Sequence, residues 1–240
     1  MSLHQLQNDS IQNQDTLGIV LNGGSLRCAY YTGFLQYVYE NKIKLDEIVT
    51  ISSGIIPAII HFSGESPEDI YNEFKGKILK DRKNMKIFSI LLRELIDTVF
   101  KSDDDVRILN SKLKVISTKL PQFKPHVFDE FKTKEELFQI GSSSCSLPYL
   151  FDFPAKVNKS YFIDGVFSKK YLPDMLNTKR KIVLSSFSPI KTRLNEESKT
   201  ASIGKKVSLK HYLSTFLYDE KITTHWYDKG YHDAIKILYS

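Results

Sequence analysis

At 240 residues, 41% hydrophobic and 26% charged, the chain is long enough to bury a substantial core and too apolar for wholesale disorder. It has no run of about 18 apolar residues with which to span a bilayer. A total of 34 Lys and Arg against 28 Asp and Glu leaves a net charge of +6. That excess suits nucleic-acid phosphates or an anionic membrane surface, and charge alone does not choose between them.

Met1 to Asp15, rich in Gln and Asn and without an apolar signal core, reads as a flexible leader, which implies a cytoplasmic or peripheral membrane location. Leu17 to Leu21 is a short apolar strand, broken by Asn22-Gly23-Gly24-Ser25. Ala29 to Glu40 then places Tyr30, Phe34, Leu35 and Val38 at helical spacing. The grammar repeats: Glu47 to Ile51 as a strand, Ser52-Ser53-Gly54 as a tight turn, Ile55 to Phe62 as an apolar helix. Such a series predicts an α/β fold with a mainly parallel central sheet covered by helices.

Ser66-Pro67-Glu68-Asp69 is a helix start, and helical periodicity continues through Tyr71, Phe74 and Ile78. A further helix, Lys86 to Val99, suits either a lipid interface or the core, and apolar stripes usually face inward. Lys112 to Thr118 reads as a strand and Glu135 to Ser144 as a helix ending before Leu147-Pro148. Tyr161 to Ile163 and Lys181 to Phe187 read as further strands, Ser188 to Lys206 as a loop, and Leu209 onward as helical. No repeat or linker interrupts residues 16–240, so a single domain is expected.

Three glycine-marked sites fall where strands end, which is where α/β proteins bind their ligands. In Thr50-Ile51-Ser52-Ser53-Gly54, a serine on a sharp strand-to-helix turn is lifted out of the sheet. Asn22-Gly23-Gly24-Ser25-Leu26-Arg27 exposes backbone N–H groups able to cradle an anion, although it matches neither the P-loop nor the dinucleotide spacing. Arg27, judged alone, reads as a solvated charge. Ile163-Asp164-Gly165 follows a strand with an acid, often only a turn signal. A partly desolvated Asp164 would nonetheless serve a serine as base without any histidine. The two cysteines, Cys28 and Cys145, lack metal-type spacing and read as reduced, packed thiols.

Taken together, the series resembles the patatin-like phospholipases, serine acyl hydrolases with a Ser–Asp dyad. The resemblance covers Leu17 to Pro173, including the segment Ser142 to Phe153, with a weaker echo in Asp228-Lys229-Gly230-Tyr231. It implies a patatin-like three-layer fold with Ser52 as nucleophile and Asp164 as base. Gly23, Gly24, Ser25, Leu26 and Arg27 would form the oxyanion hole, while Gly54 and Gly165 shape the elbow and dyad turns. The implied substrate is a phospholipid or lysophospholipid met at a membrane surface, with no metal and no cofactor.

Three positions depart from the family pattern: Ser25 replaces the third loop glycine, Cys28 the glycine after arginine, and Thr50 the first elbow glycine. Glycine in such places permits positive φ and close approach of substrate. The alternative reading is therefore a catalytically impaired fold that binds lipid or a protein partner. A Ser–Asp–His triad using His211, His225 or His232 is a second enzymatic reading, in the α/β-hydrolase chain order. The basic runs Lys75 to Arg93 and Lys179 to Lys210 lack nucleic-acid motifs, so no nucleic-acid partner is expected.

Overall fold

The computed structural model describes residues 16–80, 87–147, 153–186, 199–202 and 219–239. The predicted leader, most of the Ser188 to Lys206 loop, Pro148 and His211 lie outside them. Among the described residues a mixed sheet of eight strands is flanked by helices, the expected α/β architecture. Strand β1 (Leu17–Asn22) leads to helix α1 (Cys28–Glu40), and β2 (Glu47–Ile51) to α2 (Ile55–Ser63). Helices α3 (Pro67–Lys80) and α4 (Ile87–Val99) precede β3 (Leu113–Lys119) and β4 (Lys124–Phe128). Then come α5 (Lys134–Ser144), β5 (Ala155–Val157), β6 (Ser160–Ile163), β7 (Arg180–Ser185), β8 (Lys199–Ser202) and α6 (Glu220–Tyr239).

Strands β1, β2, β3, β7 and β8 run parallel, and β4, β5 and β6 join antiparallel. Alternation along the strands divides two cores. Ile19, Leu21, Ile48, Val115 and Leu184 face the helices, whereas Val20, Val49, Ile116 and Val183 face Leu172 of a 3-10 segment, Gly165–Met175, and Leu176 just beyond it. Helix α4 buries Leu91, Leu92, Leu95 and Ile96, so it packs inward, with Ile90, Asp97 and Thr98 turned to solvent.

The sequence reading misses three strands. β4 and β5 are short hairpin arms, and β8 lies inside the predicted loop, paired with β7 from Ile182↔Lys199 to Ser185↔Ser202. Each takes its order from a neighbouring strand rather than from its own periodicity.

The register about β3 positions the candidate site. β4 occupies one edge from Val115 to Lys119. On the opposite edge β2 pairs as far as Ile51↔Ile116, and β6 pairs in the reverse direction through Ile163↔Thr118. The two strands therefore run toward each other and stop on either side of Ser117.

Candidate active site

Ser52 is the first residue beyond β2 and opens the 3-10 turn that leads into α2. Its φ of 51° is left-handed, a conformation that serine adopts at a cost and that turns the chain sharply away from the sheet. The residue stays half-buried while Ser53 and Gly54 are covered. Gly54 is required here, because a Cβ would stand 2.4 Å from Thr50 Oγ1 and 2.9 Å from the Leu21 carbonyl. Thr50, at the departed elbow position, is accommodated by donating its hydroxyl to that same carbonyl at 3.3 Å.

Asp164 is the first residue beyond β6 and is fully buried. Its Oδ1 accepts the Val166 N–H at 2.7 Å, closing the turn before Gly165. Burial pushes its carboxyl up to about 7, opposed by that N–H bond and by the hydroxyl of Ser52. Among the described residues Ser52 is the one whose side-chain hydroxyl acts on this carboxyl, and Oδ2 makes no other hydrogen bond there. Gly165 makes the approach possible: a Cβ would meet the Ile116 carbonyl at 2.3 Å and Ile51 at 2.6 Å.

A serine-rich segment at the end of α5 ties both residues down. Ser144 Oγ accepts the Ser52 N–H at 2.9 Å and donates to the Ile116 carbonyl at 2.7 Å. The Ser146 carbonyl accepts the Asp164 N–H at 2.9 Å, and Thr118 Oγ1 donates to the Asp164 carbonyl at 3.0 Å. The run Ser142 to Ser146 was legible only as part of a family resemblance; its role as scaffold depends on contacts across 92 residues of chain.

The glycine loop lies against this pair, since a Cβ on Gly23 would fall 2.9 Å from that of Ser52. Gly23, Gly24 and Ser25 all have positive φ, at 41°, 131° and 55°. Ser25 thus keeps the left-handed shape that glycine would adopt freely. The N–H groups of Gly23 and Arg27 turn inward to the carbonyls of Leu21 and Gly24. Those of Gly24, Ser25 and Leu26 have no partner among the described residues.

Arg27 is not a solvated charge: it is fully buried, donates to the Ser186 carbonyl at 2.9 Å and lies 5.4 Å from the Trp226 ring. Tyr31 and Ser186 complete the clamp, both donating to the Gly23 carbonyl, at 2.7 Å and 2.5 Å. Neither residue carried a sequence signal.

Cys145 also faces Ser52, and burial holds its thiol well above the usual range; the Cys28 thiol is pushed up to about 12 for the same reason. Both are free and protonated, as expected of packed thiols. His225 and His232 sit exposed on α6, and neither is among the groups acting on Asp164. Among the described residues no cluster of His, Cys, Asp and Glu is arranged to hold a metal ion. An apolar cleft opens beside the loop, lined by Leu26 and Ala29, by Ile56 and Ile60 of α2, and by Phe74 and Leu91.

In the basic run Lys75 to Arg93, the described Lys75, Lys77 and Arg93 are each held in ion pairs. Lys75 pairs with Glu220, Lys77 with Glu73 and Glu94, and Arg93 with Glu135 while covering the Phe138 ring.

A mixed sheet flanked by helices, with a serine elbow and a buried carboxylate at one end, places the chain in the α/β class. A family model described as patatin-like phospholipase matches residues 19–177, well over half of the chain, and the chain belongs to that family. Lipid acyl hydrolysis is the activity this membership implies.

Among solved structures, VipD from Legionella pneumophila aligns with a TM-score of 0.57 at 12% identity, covering 93% of this chain and 67% of that one. The heterodimeric ExoU–SpcU complex from the type III secretion system of Pseudomonas aeruginosa aligns at 0.50 and 14% identity, covering 93% of this chain and 51% of that one. The chain thus spans about half the length of the latter, and at these identities the likeness is one of fold. No curated protein matches the sequence. Among the described residues no helix is long and apolar enough to cross a membrane.

Proposed function

We propose that the protein cleaves fatty-acyl esters of phospholipids or lysophospholipids through a Ser52–Asp164 dyad. Asp164 accepts the Ser52 proton as Oγ attacks the ester carbonyl carbon. The N–H groups of Gly24, Ser25 and Leu26 stabilise the tetrahedral oxyanion, in a loop whose shape Gly23 and Arg27 hold. Collapse expels the alcohol, which takes the proton from Asp164 and leaves an acyl-serine. Water then attacks with Asp164 again as base, releasing the fatty acid and restoring Ser52. The apolar cleft beside Leu26 and Ile56 receives the acyl chain. Because a serine hydroxyl attacks, the proposal calls for no metal or cofactor.

One observation carries this reading: a fully buried carboxyl, raised to about 7, is influenced by the half-exposed hydroxyl of a strained elbow serine beside it. Such a base is poised near neutral pH. The test is fatty-acid release from phospholipid vesicles in the presence of chelator, by wild type, Ser52→Ala and Asp164→Asn. Losses of at least about a thousandfold are expected for both variants. Equal release by all three would sink the dyad.

The lipid-binding scaffold is the second reading, motivated by Ser25, Cys28 and Thr50. An active-site-directed organophosphonate separates the two. Labelling at Ser52 supports chemistry, whereas lipid binding without labelling supports the scaffold.

A further inference from the structure

Two hairpins project past the candidate site. β3 runs parallel to β2 and continues beyond Ile116 to Lys119, so its turn into β4 lies outside the level of Ser52. β6 runs antiparallel to β3, so its start at Ser160 and the Asn158-Lys159 turn from β5 lie on the same side. The Leu120 N–H donates to the Tyr161 carbonyl at 2.9 Å, which holds the two hairpins together. At about 3.3 Å per strand residue, their tips stand roughly 10 Å outside the site.

Composition sets these tips apart. Phe123 is 66% exposed with a φ of 52°, a backbone conformation and a solvent exposure both unfavourable for phenylalanine. Tyr161 is 49% exposed, paired across the strands with Lys156. Lys124, Lys156 and Lys159 are exposed and Lys119 is half-buried. Residues 119–124 and 153–163 contain no acidic residue. An aromatic tip among lysines, with no acidic residue in either segment, matches a surface that is apolar beneath and anionic above.

We propose that the paired β3–β4 and β5–β6 hairpins dock the protein on an anionic bilayer, with Phe123 and Tyr161 entering the interface and the lysines meeting lipid phosphates. This surface deepens the lipid-hydrolase reading, on which it rests, by setting the candidate site at headgroup level.

The test is flotation of the protein with vesicles of phosphatidylcholine, alone or mixed with phosphatidylglycerol, at low salt. It is carried out in the Ser52→Ala background so that turnover does not erode the vesicles. Preferential binding to the mixed vesicles is expected. Lys124→Gln with Lys159→Gln should weaken it about thirtyfold, and Phe123→Ser about tenfold. The same hairpin changes on intact Ser52 should leave hydrolysis of a soluble short-chain ester unchanged, which also shows that these variants fold. Unchanged flotation in the hairpin variants, or no flotation of the parent, overturns the proposal. If Ser52 proves inert while the hairpin variants still lose flotation, the docking surface stands and the hydrolase reading falls.

Discussion

Asp164 reaches Ser52 because the strands that precede them, β6 and β2, approach head to head on one edge of β3 and leave Ser117 between their ends. The pair is thus held by sheet register, not by a flexible loop. The Ser144 hydroxyl and Ser146 carbonyl reinforce it from a third element. A site fixed by backbone hydrogen bonds keeps its geometry while substrate enters.

Under the proposed mechanism turnover should rise with pH and level off above about 7, because a base must be ionised to take the serine proton and burial raises the Asp164 carboxyl to about 7. The measurement is kcat/KM for a soluble ester across about pH 5 to about pH 9. A profile that is flat through neutrality would remove Asp164 as the base.

Asp164→Asn should stabilise the protein at alkaline pH. The unfolded carboxyl ionises near 3.8 and the folded one near 7, so the folded state retains a proton across that interval. The contribution of Asp164 to stability therefore falls as pH rises from about 4 to about 7. Asparagine carries no charge and keeps an oxygen for the Val166 N–H. At about pH 8 the variant should exceed wild type by a few kcal/mol in denaturant unfolding, and the gap should close near pH 4.

The loop separates required from replaceable glycine. At Gly24, with φ 131°, an added Cβ would stand 2.0 Å from Ser186 Oγ, so Gly24→Ala should cost more than about 2 kcal/mol and release the Gly23 carbonyl clamp. Ser25→Gly relieves a left-handed serine but adds freedom to the unfolded chain, and these effects nearly cancel. Its unfolding free energy should stay within about 0.5 kcal/mol of wild type and its turnover should not fall. A large loss of turnover would give the Ser25 side chain a role of its own.

Helices α1 and α6 cross backbone to backbone. A Cβ on Gly33 would lie 2.0 Å from the Tyr227 carbonyl, and one on Gly230 would lie 1.9 Å from that of Tyr30. Gly33→Ala or Gly230→Ala should therefore lower stability by about 3 kcal/mol or more, since neither backbone yields cheaply. Gly76 in α3 has open space around its missing Cβ, and Gly76→Ala should raise stability by about 0.5–1 kcal/mol. Thermal unfolding of these variants checks the contrast.

The elements on the path to the site were legible in the sequence because local chemistry dictates them. Continuous apolar runs are what parallel central strands require, and all of β1 and β2 is buried. The Ser66-Pro67 start was equally plain, with Ser66 Oγ accepting the Asp69 N–H. The order of glycine loop, elbow serine and Asp-Gly turn pointed to the family by itself.

Tertiary structure alone decided the rest. Arg27 carries the same side chain as any surface arginine, and only the arrival of Ser186 and Trp226, 159 and 199 residues downstream, buries it. Strands β4, β5 and β8 exist because a neighbour offers free backbone groups, not because their own residues insist on extension. The two hairpin tips are unremarkable as sequence until register sets them side by side beyond Ser52. The surplus of +6 likewise acquires meaning only through placement: several lysines and Arg93 are spent in ion pairs, while those at the hairpin tips have no acid in their own segments. Composition sets how much charge a chain carries, and folding sets which of it remains free for a partner.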